Sequence, residues 1–92
     1  MDLGLSGRSV VITASSKGLG KATALQFAME GAHVMISGRN EETMEETANE
    51  IRRLSGNQNV RYTKCDVTSA ADIHNLISKT VEWNGTVEIL VN

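Results

Sequence analysis

Ninety-two residues of 9.9 kDa, 40% of them hydrophobic, suffice for one small domain with a single modest core and not for two. Nine Lys plus Arg against eleven Asp plus Glu leave a net charge of −2, which argues against a protein that holds nucleic acid or anionic lipid by bulk charge. One cysteine cannot make an internal disulfide, no apolar signal segment opens the chain, and no apolar run approaches the roughly 18 residues of a membrane span, so a cytoplasmic protein is expected.

Arg8 to Thr13 carries the β-branched run Val10-Val11-Ile12 and predicts a strand. Gly18-Leu19-Gly20 then opens a helix with Leu19, Ala22, Leu25, Ala28 and Met29 on its apolar stripe, ending near Glu30, where Gly31 supplies a residue tolerant of the left-handed conformation. Ala32 to Ser37 reads as the second strand. Asn40 is a good N-cap, Glu41 and Glu42 complement the helix dipole, and Met44, Ala48, Ile51 and Leu54 recur at helical spacing to about Ser55. Turn residues Gly56 to Asn59 precede a polar strand, Val60 to Lys64. Ser69 with Asp72 resembles a capping box opening a third helix, whose stripe is Ile73, Leu76, Ile77, Thr80 and Val81. Asn84-Gly85 closes it, and Val87 to Val91 is an apolar run of the kind buried on both faces of a parallel sheet.

The order βαβαβαβ predicts an α/β fold: the N-terminal half of a Rossmann-like doubly wound parallel sheet, strand order 3-2-1-4, with right-handed crossovers. Ligands of such sheets sit beyond the carboxyl ends of the strands where the winding reverses, here between the first and fourth. The turn Thr13-Ala14-Ser15-Ser16-Lys17-Gly18-Leu19-Gly20 lies at that end, with backbone N–H groups and a helix N-terminus suited to an anion. A Walker turn fails, because Ser15 stands where its first glycine belongs and Ala22 follows Lys21. The pattern Gly-x-Gly-x-x-Gly fails too, with Thr23 at the third glycine. By themselves the glycines are weak evidence, since they are also compatible with a tight turn that binds nothing.

In context, the turn resembles the Thr-Gly-x-x-x-Gly-x-Gly motif of the short-chain dehydrogenase/reductase family, matching at Thr13, Gly18 and Gly20 and departing at Ala14. Ser37-Gly38-Arg39, Asp66-Val67 and Val91-Asn92 fall where that family places strand-end motifs, so the likeness runs the length of the chain. It implies that Thr13, Ser15, Ser16, Lys17, Gly18, Leu19 and Gly20 surround the cofactor phosphates, that Asp66 meets the adenine amino group with Val67 against the ring, and that Asn92 adds a contact on the adenosine side. Read from the residues alone, Asp66 is alternatively a turn or helix-capping carboxylate.

Sites that select the unphosphorylated cofactor carry an acidic residue about 20 positions after the glycines. Here Arg39 stands there, and its guanidinium can fork onto a 2′-phosphate with Lys17 as a second cation, so NADP(H) is expected over NAD(H). An isolated surface arginine would be a solvated charge.

The resemblance also implies catalysis by a Ser and a Tyr-x-x-x-Lys pair on later elements. The single tyrosine, Tyr62, has Asp66 four residues on, so no catalytic residue is assigned within the chain. His33, His74 and Cys65 lack ligand spacing and are read as packing residues, with no metal site; Cys65 is expected to be an inert half-buried thiol, and Met29, Met35 and Met44 core residues. Residues 1–92 are therefore expected to be a dinucleotide-binding half-domain, truncated before the catalytic elements of an NADP(H)-dependent oxidoreductase acting on a small carbonyl or alcohol substrate. The alternative is a complete nucleotide-binding or self-associating module without turnover. A homo-oligomer is expected; if the chain ends at Asn92, it would pair through Val87 to Val91, because Arg61 and Lys64 guard the opposite edge.

Overall fold

A computed structural model describes residues 4–13 and 18–91. Strands β1 (Ser9–Ile12), β2 (His33–Gly38), β3 (Val60–Lys64) and β4 (Ile89–Val91) alternate with helices α1 (Gly18–Met29), α2 (Glu41–Ser55) and α3 (Ala70–Asn84). The strands form one parallel sheet in the order β3-β2-β1-β4, as the sequence predicts. Val10 pairs with Val34 on one side and Ile89 on the other, so β1 is internal and its carboxyl end lies where the chain reverses direction across the sheet.

Side-chain alternation divides the core between the two faces. Val10, Ile12, Val34, Ile36 and Val60 pack against Ala24 and Ala28 of α1 and Met44, Ala48 and Ile51 of α2. Val11 and Met35 face the other way, onto Leu76 of α3 and Cys65. The contact stripe of α1 is Ala24–Ala28, small residues that let the helix lie close to the sheet, with Leu25 and Phe27 flanking it. Met29, one position past Ala28 and so about 100° round the helix, is 60% exposed and not the core residue its hydrophobicity suggests. Ala22, Leu54, Ile73 and Val81 also face solvent, at the margins of their stripes. Cys65 is fully rather than half-buried, and burial pushes its thiol up from the ordinary value, with Asp72 and Asp66 adding to the shift.

Helix ends follow their capping residues. Asn40 Oδ1 accepts from Thr43 N–H at 2.9 Å, and Gly56 and Gly85 close α2 and α3 in the left-handed conformation. The capping box at α3 is only half formed: Ser69 accepts from Asp72 N–H at 3.2 Å, but the Asp72 carboxylate turns back to Asp66 N–H at 2.9 Å. β4 differs most from expectation. It is three residues long, with β1 its sole strand neighbour among the described residues, and Leu90 is 53% exposed, so the face that carries Leu90 is not buried. No helix among the described residues is long and apolar enough to cross a membrane.

The fully buried Ile36 at the centre of β2 should be far more sensitive to truncation than exposed Met29. Ile36→Ala is expected to cost about 2–5 kcal/mol and Met29→Ala no more than about 0.5 kcal/mol in urea unfolding; comparable losses would contradict this core assignment.

Candidate nucleotide-binding site at the carboxyl end of the sheet

Four strand ends converge on one edge of the molecule, and each is fixed by backbone pairing. Thr13 follows β1 directly; its N–H donates to the Val91 carbonyl at 3.0 Å and its Oγ1 to the same oxygen at 3.4 Å, tying the ends of β1 and β4 together. Gly18 begins α1 at φ +57°, a left-handed value that L side chains adopt at a cost, and the space where a Cβ would stand is open. Gly20 and the backbone of Leu19 lie in the first turn of the same helix. One residue on, the Lys21 ammonium is taken up by Glu50 at 2.6 Å, a bridge that fastens the start of α1 to α2 and holds the Glu50 carboxyl below its ordinary value. Ser15, Ser16, Lys17 and Asn92, which the sequence also nominates, lie outside the described residues.

The end of β2 approaches α2 closely. A Cβ on Gly38 would stand 2.9 Å from the end of the Met44 side chain, so glycine lets that side chain lie against the strand just before Arg39. The Arg39 side chain is 74% exposed, and its guanidinium comes within 3.9 Å of Asp66 Oδ1. No acidic residue occupies the Arg39 position itself.

Asp66 is held from several directions. Its N–H donates to Asp72 Oδ2 and its carbonyl accepts from Ser69 N–H, both at 2.9 Å. Its Oδ1 accepts from Thr68 N–H at 2.9 Å and from Thr68 Oγ1 at 2.7 Å. Asp66 is thus a turn carboxylate, and among the described residues Oδ2 takes no hydrogen bond, which leaves one oxygen for an outside donor. The two bonds from Thr68 hold the carboxyl below the ordinary aspartate value; desolvation opposes them and the Arg39 charge assists. Thr68 was not among the residues the sequence nominates. Its signal was the Asp66-Val67-Thr68 spacing, in which an aspartate side chain bonds the backbone two residues on.

Val67, 48% exposed, lines a mostly apolar cleft of about 280 Å³ with Thr13, Leu76, Ile77 and Leu90. The cleft adjoins the ends of β1 and β4, the reversal point of the sheet. Of the nominated residues, the structure therefore joins Arg39 to Asp66 and Thr13 to Val67, with Gly18 and Gly20 on the same side of the sheet. Tyr62 packs half-buried against the core, and the His33 ring lies 5.1 Å from that of Trp83; both are packing residues.

Because its carboxyl is lowered in the folded chain, the Asp66 turn contributes its full stabilisation above the unfolded-state value and loses it as pH falls through the folded one. Carboxyl-carbon NMR is expected to give Asp66 a midpoint below an ordinary aspartate, tracked by the Thr68 amide. A midpoint at or above the ordinary value would contradict the double hydrogen bond.

Residues 8–92 match the family model described as short chain dehydrogenase. The chain is 43% identical over 89 residues to a hexahydro-1H-indene-carboxyl-CoA reductase of Mycobacterium tuberculosis, covering 96% of this chain and 34% of the relative. It is 33% identical to a glucose 1-dehydrogenase of Gluconobacter oxydans, covering 94% and 32%. Among solved structures, an L-sorbose reductase from Gluconobacter frateurii, complexed with NADPH and L-sorbose, superimposes with a TM-score of 0.92 at 35% identity, covering all of this chain and 35% of that one. The chain spans about a third of the length of the relatives it matches. With the family model matched over residues 8–92 and the parallel strand order 3-2-1-4, the chain belongs to the short-chain dehydrogenases and carries a portion of their oxidoreductase fold.

Proposed function

We propose that residues 1–92 form the amino-terminal, cofactor-binding portion of an NADP(H)-dependent oxidoreductase whose substrate is a small carbonyl compound or the corresponding alcohol. The observation that carries this reading is an exposed guanidinium at Arg39, at the position where sites for the unphosphorylated cofactor carry an acidic residue, beside an Asp66 carboxylate with one open oxygen. Two structural neighbours solved with NADPH, the L-sorbose reductase and an actinorhodin polyketide ketoreductase, support it.

The residues fit such a cofactor by chemistry. Arg39 would grip the 2′-phosphate, with Lys17 as a second cation. Asp66 Oδ2 would accept from the adenine amino group, and Val67 would cover the ring. The turn from Thr13 through Ser15, Ser16, Lys17, Gly18, Leu19 and Gly20 would direct backbone N–H groups and the start of α1 at the pyrophosphate. Asn92 would add an adenosine-side contact. When bound, the nicotinamide supplies the hydride; the contribution of this chain is to bind and orient its carrier, and no catalytic acid or base is assigned here. Buried Cys65, a free thiol, supports a reducing, cytoplasmic location.

Fluorescence titration of the full-length protein is expected to show tighter binding of NADPH than of NADH. Arg39→Ala should weaken NADPH about ten- to a hundredfold while leaving NADH nearly unchanged. Equal wild-type affinities would defeat the assignment.

Gly18→Val tests the turn separately. A side chain there would occupy space that is open in the structure and strain a left-handed backbone. Loss of binding of both cofactors, with helical circular dichroism retained, is expected; retained binding would make the turn purely structural.

A further inference from the structure

Arg39 and Asp66 stand closer than their proposed separate tasks require. A guanidinium 3.9 Å from a carboxylate oxygen is at the outer limit of an ion pair, and both side chains are substantially exposed, at 74% and 44%. A modest rotation of the Asp66 side chain would complete a forked pair. Arg39 would then be neutralised and turned from a 2′-phosphate, and Asp66 would lose its open oxygen.

What opposes that rotation is Thr68. Its N–H and Oγ1 both bind the Asp66 oxygen nearest the guanidinium, at 2.9 and 2.7 Å, so closing the pair means stretching or breaking two hydrogen bonds. The backbone on either side is also anchored, through Asp66 N–H to Asp72 and Ser69 N–H to the Asp66 carbonyl. The Asp66 side-chain torsions are therefore the freedom left to the carboxylate, and Thr68 restricts them.

We propose that Thr68 is a positioning residue for cofactor selection: by clasping Asp66 Oδ1 it keeps the carboxylate from closing on Arg39, and so preserves a free guanidinium for the 2′-phosphate. This rests on the NADP(H) reading above. Thr68 itself contacts no cofactor atom in this role and acts through Asp66 alone.

The test is a set of affinities for NADPH and NADH in full-length protein carrying Thr68→Val, Thr68→Ser, Asp66→Asn and Asp66→Asn with Thr68→Val. Valine keeps the shape and the N–H but removes the hydroxyl donor; serine keeps both donors. An exposed ion pair is worth little, so Thr68→Val should lower the NADPH-over-NADH preference about two- to fivefold. Thr68→Ser should restore it. In the Asp66→Asn background, which cannot form the ion pair, Thr68→Val should leave the preference unchanged. A purely structural role predicts something else: equal losses for both cofactors, or the same change of preference with and without the Asp66 charge. Either result overturns the proposal, as does an unchanged preference in Thr68→Val. If wild type shows no preference, the NADP(H) assignment falls and this role with it; a wild-type preference untouched by Thr68→Val removes this role alone.

Discussion

Every residue of β1 from Ser9 to Ile12 is buried, paired along one edge with β2 and along the other with β4, and covered on its faces by α1 and α3. A strand enclosed in this way has only its ends free to meet a ligand. Its amino end is occupied: the Asn84 amide donates to the Gly7 carbonyl and Ser9 Oγ, and Arg8 pairs with Glu88. At the carboxyl end the chain turns from Thr13 toward α1 while β2 and β4 diverge to either side. The position of the candidate site follows from the enclosure of β1 rather than from any one of the residues around it.

Electrostatics at that end are set by what is already paired. Lys21, the cation next after the glycine turn among the described residues, is committed to Glu50, whereas Arg39 reaches only the edge of the Asp66 carboxylate. The difference separates a charge that fixes the angle of a helix from one available to a ligand. Nearby, Val67, Ile73 and Leu90 leave apolar surface open beside the end of β4.

The order of elements was legible in the sequence because the period of hydrophobicity changes at each boundary and the boundaries carry strong local signals: Asn40 and Ser69 as caps, Gly56 and Gly85 as left-handed stops. Exposure was less legible. Met29 looks like core because hydrophobicity is read one residue at a time, but α1 uses the narrow Ala24–Ala28 stripe and leaves Met29 outside it. The apolar run ending at Val91 promised a strand enclosed on both faces, yet its burial depends on neighbours rather than on its own composition, and Leu90 is half exposed. Of the site, Arg39 and Asp66 could be nominated separately, one by its distance from the glycines and one by resemblance. Their 3.9 Å approach could not, because it depends on the register of β2 against β3, which pairs Gly38 with Lys64 and brings the two strand ends level.

The central claim is that the strand ends carrying Arg39 and Asp66 recognise the adenosine 2′-phosphate end of a dinucleotide. Backbone amide NMR of the isotopically labelled full-length protein, titrated with 2′,5′-ADP and with 5′-AMP, addresses it most directly, because these fragments differ at the phosphates and lack nicotinamide. The account predicts that both ligands shift the amides of Asp66, Val67 and Thr68, and that 2′,5′-ADP alone strongly shifts Arg39. Identical shifts at Arg39 with the two ligands, or shifts confined to other parts of the molecule, would contradict it.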